Sequence, residues 1–229
     1  RRLTHIPDAY LPLLRLAAVI GRAVDFDVLD AVRAGRDDLQ PIDMDDWLTT
    51  CANVAVLTNW EGRWRFAHEK LRDVLKQQIT PERLQDLHRQ VARAIETLYP
   101  DDAAQAAVLA DHWRAAGERR KEAHYAHIAG ELLLNGGNFK EAITLFERAL
   151  SGLGDDDKIG RMQIRKLMGD VFESLSQYDT AIAYYDNSLK IARELDNALG
   201  IAAALDGQGS VTYRQGDFTS AHSYYTEAL

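Results

Sequence analysis

The residues best suited to chemistry lie in RWRFAHEKLRDVL, residues 63–75, which sets His68 beside Glu69 at a change of pattern. Trp64 and Phe66 alternate with Arg63, Arg65 and Ala67, whereas Leu71, Val74 and Leu75 recur at helical spacing. A polar pair at such a junction can be a helix cap, a metal site, a catalytic dyad or a phosphate contact. The zinc-binding pattern H-E-x-x-H is excluded, because Arg72 stands where the second imidazole is needed. A dyad needs a nucleophile partner, and none accompanies the pair. Cap and phosphate contact remain open.

The other candidates read more plainly. His112, His124 and His127 fall in consecutive expected helices, with His124 and His127 on one face. Three imidazoles could hold zinc if they converged, but histidines in a helical array ordinarily pack or cap, so no metal is expected. The run Asp155–Asp157 lacks the spacing and terminal Glu of a calcium loop and is expected to be a solvated turn. Cys51 is the single cysteine, which leaves no intramolecular disulfide and no C-x-x-C pair. It is expected to be a small apolar core residue, and a reduced, cytoplasmic setting follows from it. No phosphate loop, dinucleotide fingerprint or nucleophile elbow occurs, so no catalysis is expected within this chain.

The elements that must position His68 divide into two regions. Residues 1–80 contain three expected helices, in DAYLPLLRLAAVIG, DFDVLDAVRA and MDDWLTTCANVAVL, each with an Asp near its start for capping or the helix dipole. VAVLTNW and RWRFAH flank Glu-Gly as an expected β-hairpin. Three helices and a two-stranded wing make a winged-helix arrangement.

Residues 81–229 read as helical repeats. GNFKEAITLFERAL (137–150), SQYDTAIAYYDNSL (176–189) and GDFTSAHSYYTEAL (216–229) share one template. An aromatic (Phe139, Tyr178, Phe218) is followed by a small residue (Ala142, Ala181, Ala221) and a second aromatic (Phe146, Tyr185, Tyr225). Each unit is expected to be a helix, a turn and this second helix, buried only when units stack. The clear repeats fall near 121–150, 158–189 and 197–229, and PERLQDLHRQVARAIETLYP is expected to open the solenoid. The pattern resembles the tetratricopeptide repeat (TPR), although successive copies lie 39 and 40 residues apart instead of the usual 34 or so, which calls for longer helices or loops. The fold class is therefore expected to be mostly α, a winged helix with a small hairpin followed by a TPR-like α-solenoid.

Charge bears on partners. The net charge is −8, with 14 basic against 15 acidic residues over 1–100 and 13 against 20 beyond. The third expected helix, PIDMDDWLTTCANVAVL, has three aspartates and no Lys or Arg. Phosphate neutralisation needs cations, so direct nucleic-acid binding is not expected. No apolar run is long enough to span a membrane. The chain begins without Met and ends within the repeating pattern, so a longer protein is expected.

A winged helix joined to TPRs, with FAHEKLRDVL after the wing, resembles the STAND signal-transduction ATPases, including NB-ARC-like proteins and regulators related to the maltose activator. LLRLAAVIGRAVDFDVLDAV (13–32) and PERLQDLHRQVARAIETLYP (81–100) carry the likeness further. The resemblance implies an upstream nucleotide-binding domain, ADP or ATP bound in the longer protein, and a TPR sensor for a protein or small-molecule inducer. In NB-ARC relatives a Met-His-Asp motif contacts the β-phosphate of ADP. Here the triplet is Ala67-His68-Glu69, so only the histidine matches. A histidine at a helix start suits an anion, and Arg65 and Arg72 could add positive field. The alternatives are a stand-alone TPR interaction scaffold with a structural winged helix and, further off, a DNA-binding regulator.

Overall fold

The computed structural model describes residues 2–229. The fold is mostly helical with one small two-stranded sheet and a TPR-like solenoid, and the chain divides into two compact units.

The first unit contains α1 (Leu11–Ile20), α2 (Phe26–Ala34), α3 (Met44–Asn53), β1 (Leu57–Trp60), β2 (Arg63–Phe66), α4 (Glu69–Gln77) and α5 (Pro81–Leu98). Helix α1 is apolar on nearly every side and is its centre, with Leu13, Leu14 and Leu16 fully buried. It packs against α2, α4 and α5. Asp25 caps α2 by accepting from the Val28 amide at 3.1 Å, and Asp43 caps α3 by accepting from that of Asp46 at 2.9 Å. The first expected cap does not form. Asp8 lies in a short 3₁₀ turn ahead of α1, whose start carries a proline and no side-chain cap.

The strands pair antiparallel with Leu57 opposite Phe66 and Trp60 opposite Arg63. Glu61 (φ 51°) and Gly62 (φ 78°) both take left-handed backbone, as a two-residue turn matched to strand twist requires. On its other edge β2 meets residues 22–24: the Val24 amide donates to Trp64 at 2.8 Å and the Phe66 amide to Arg22 at 2.9 Å. Phe66 is thereby buried, which fixes where the strand ends and α4 begins.

The second unit contains three helical hairpins. These are α7 (Arg119–Asn135) with α8 (Phe139–Gly152), α9 (Lys158–Ser174) with α10 (Tyr178–Glu194), and α11 (Ala198–Arg214) with α12 (Phe218–Ala228). Helices of 17 residues joined by three-residue turns account for the long repeat. The repeated alanines Ala142, Ala181 and Ala221 are buried at the contacts, and the second aromatics lie on glycines of the partner helix. A Cβ at Gly169 would come 2.6 Å from Tyr185 Cδ1, and one at Gly207 would come 2.6 Å from Tyr185 Cε1. The Tyr185 ring is thus held between two helices that only glycine lets approach so closely. The acidic turn is exposed along Asp155–Asp157, and within it Asp157 caps α9 through the Gly160 amide at 2.9 Å and Asp156 accepts from Arg120 at 2.9 Å.

The division between units differs from the 80/81 boundary expected from the sequence. The first unit runs to Gln105 and takes Asp111–Glu118, whereas the second takes Ala106–Ala110 and Arg119–Leu229. Helix α5, read from sequence as the start of the solenoid, buries Leu87, Val91 and Ile95 in packing against α1 and α2. The short helix α6 (Ala106–Ala115) contributes to both units.

Candidate functional site

The junction between β2 and α4 is set by backbone bonds. The Ala67 amide donates to Val56 at 3.0 Å, and the Leu71 amide donates to the His68 carbonyl at 3.0 Å. His68 therefore occupies the cap position of α4 with extended backbone (φ −141°, ψ 136°), yet its side chain makes no capping bond and is exposed. His68 thus heads a helix, whose first-turn amides and dipole favour an anion.

Arg65 and Arg72 are already engaged. The Arg65 guanidinium lies 4.5 Å above the Trp60 ring, a diagonal cross-strand contact. Arg72 Nε donates to the Ala18 carbonyl at 2.9 Å, near the end of α1, and its guanidinium pairs with Glu69. That places a cation at a helix C-terminus and pins α4 to α1. Glu69 consequently answers Arg72 one turn along its own helix.

His112 lies in α6 and His124 and His127 in α7, consecutive helices. His112 sits in the first unit with His88, their Nδ1 atoms 2.9 Å apart and their rings 5.0 Å apart. His124 and His127 belong to the second unit, where His127 lies 3.7 Å from Glu131 and edge-on to Phe146. Among the described residues, no three His, Cys, Asp or Glu side chains are placed to share a metal ion. Burial pushes both members of the His88–His112 pair down to about 4, and each imidazole's positive form is further disfavoured by Arg72. His112 also bonds the Ile20 carbonyl. With that ring nitrogen donating, His112 accepts at Nδ1 and His88 donates, so the pair is neutral and satisfied. Cys51 is buried and its thiol is pushed up to about 12 by burial alone, which removes it as a nucleophile.

The second unit contributes a groove. Helices α7, α9 and α11 line a cavity of about 430 Å³ with His127, Glu131, Lys166, Leu167, Leu199 and Ala203. Leu199 is 85% exposed there, an unusual position for a large apolar side chain. Most of the lining comes from the first helix of each hairpin, with Ser188 of α10 added from a second helix.

The tetratricopeptide repeat family model matches residues 160–229. No curated protein matches the sequence. Among solved structures, BtubC (BKLC) from P. vanneervenii is 16% identical, with a TM-score of 0.51 over 94% of this chain and 89% of that one. MamA is 18% identical with a TM-score of 0.41 over 65% and 90% of the two chains. A STAND protein with a tetratricopeptide repeat sensor from Pyrococcus horikoshii is 12% identical with a TM-score of 0.35. That match covers 99% of this chain and 44% of the other, so this chain spans less than half of the archaeal protein. At 16% identity the likeness to BtubC bears on the fold alone. No helix among the described residues is long and apolar enough to cross a membrane.

Proposed function

We propose that this chain is the regulatory and sensor arm of a STAND-type signalling ATPase, with no catalysis of its own. In this reading the N-terminal helices and hairpin are a winged helix that faces an upstream nucleotide-binding domain holding ADP. The TPR-like helices recognise a protein or small-molecule inducer in the cytoplasm. The observation that supports it most is His68, exposed at the head of α4 with no cap to make. An imidazole at a helix start can donate to a phosphate oxygen, where the helix dipole also favours an anion. Arg65 and Arg72 act indirectly, the first by holding the hairpin and the second by holding α4 on α1. The groove with Leu199 at its edge is where an inducer would bind, and it can switch the assembly only by preferring one nucleotide state.

In the longer protein, His68→Ala should speed ADP release by about tenfold or more, the loss of one charge-assisted hydrogen bond. Stopped-flow release of a fluorescent ADP measures it, and an unchanged rate would remove the lock. A second reading, a TPR interaction scaffold with a structural winged helix, is favoured by the prior engagement of both arginines. It expects no phosphate loop upstream. DNA recognition is disfavoured by the acidic start of α3, where Asp43, Asp45 and Asp46 gather.

A further inference from the structure

We propose that the first unit carries a second anion site, built for a phosphoryl group, at the end of α4 remote from His68. Ten residues of sequence, about 15 Å of helix, separate His68 from Gln78. Around Gln78 a pocket of about 300 Å³ is lined by Arg15 from α1, Arg36 from the turn after α2, Thr80 from the α4–α5 connection, and Arg83 and Leu87 from α5. That volume lies at the small end of ligand pockets. Three guanidinium groups reach it from three separate parts of the chain, and none of the residues lining it is acidic.

The arginines are only partly satisfied within the protein. Arg15 donates to Gln78 Oε1 at 3.2 Å and Arg83 to Asp86 at 2.7 Å, whereas Arg36 is held by Asp38 through two parallel bonds, from Nε at 3.0 Å and from Nη2. Each guanidinium has five N–H groups, so the bonds to Gln78, Asp38 and Asp86 leave each with further donors. Arg15 Nε is buried with no hydrogen-bond partner, a state that costs free energy. Asp38 feels both Arg36 and Arg83, which brings those two cations into one neighbourhood. Asp38 and Asp86 take part of the charge from outside the lining and leave an excess of one cation inside. A phosphoryl group supplies several acceptor oxygens and more than one negative charge, matching forks that converge from different directions. A single carboxylate can engage only one such fork fully.

Inorganic pyrophosphate, titrated into the full chain by isothermal calorimetry at constant ionic strength, tests this. Saturable one-site binding is expected, weakened about tenfold or more by Arg15→Gln and by Arg83→Gln. His68→Ala should retain it, which separates this pocket from the nucleotide lock. No saturable binding, equal binding by both arginine variants, or loss in His68→Ala alone would each overturn the proposal. Should Arg15→Gln fail to fold, as judged by tryptophan fluorescence, the half-exposed Arg83 carries the test. Arg120→Gln, on an exposed ion pair of the second unit, controls for general loss of charge. A further arm adds phosphatidylcholine vesicles bearing a phosphoinositide: Arg83-dependent retention points to a lipid headgroup, and pyrophosphate binding without retention to a free phosphorylated metabolite.

Discussion

Acidification should destabilise the first unit through its histidine pair. His88 and His112 both have imidazoles pushed from 6.5 down to about 4, chiefly by burial. In the unfolded chain each takes its proton near 6.5, so the unfolded state binds more protons throughout the interval between those values. Stability is therefore full above about pH 6.5 and drains as pH falls toward 4. Between about pH 7 and pH 5 the linkage amounts to about 2 kcal/mol for each imidazole, and about 3–4 kcal/mol for the two. The groups around the pair reinforce the sign, because Lys76 and Arg72 oppose a proton on His88 whereas Asp111 and the Ile20 carbonyl only partly favour one on His112. All four tryptophans, Trp47, Trp60, Trp64 and Trp113, lie in the first unit, so their fluorescence reports its unfolding selectively. Urea titrations followed at this signal should show the loss in the native chain. The double variant His88→Leu/His112→Leu should lose most of that pH dependence while remaining folded. An equal pH dependence in the double variant, or the His88 and His112 resonances titrating near 6.5 in the native chain, would refute the reasoning.

Two further outcomes follow from close contacts. Gly169→Ala should destabilise the second unit by about 1–2 kcal/mol, since overpacking against Tyr185 outweighs the helix propensity gained. Gly200→Ala, whose Cβ would meet the flexible Met162 Sδ at 2.6 Å, should be near neutral; matching effects in circular-dichroism melts would contradict this. Arg72→Ala should cost the first unit about 1–2 kcal/mol through the lost bond to Ala18, whereas exposed His68→Ala should change it by no more than about 0.5 kcal/mol. Urea midpoints by tryptophan fluorescence separate the two, and a large stability loss in His68→Ala would give that residue a structural role.

The repeats were legible because their signal is local and redundant. Phe146, Tyr185 and Tyr225 recur with an alanine four positions ahead in each copy, and one helical turn is enough to place both on one face. The hairpin turn was equally local, since Glu61-Gly62 marks it by backbone preference alone. Capping was legible for Asp25 and Asp43, whose residue type and place before an apolar run favour it, whereas Asp157 lay in a run read only as a solvated turn although its cap to Gly160 is just as local.

What the sequence by itself determined is therefore the periodic content: helices, their pairing in repeats, and a histidine at the head of α4. Those features depend on neighbours within a few residues. Tertiary structure alone decided that α5 serves the first unit, because its apolar stripe could be buried by any partner of suitable shape. It also decided that His112 meets His88, 24 residues away, and that Arg72 meets Ala18, 54 residues away. Arg15, Arg36 and Arg83 converge on one pocket for the same reason: residues far apart in sequence leave no periodic trace, and only packing brings their charges together.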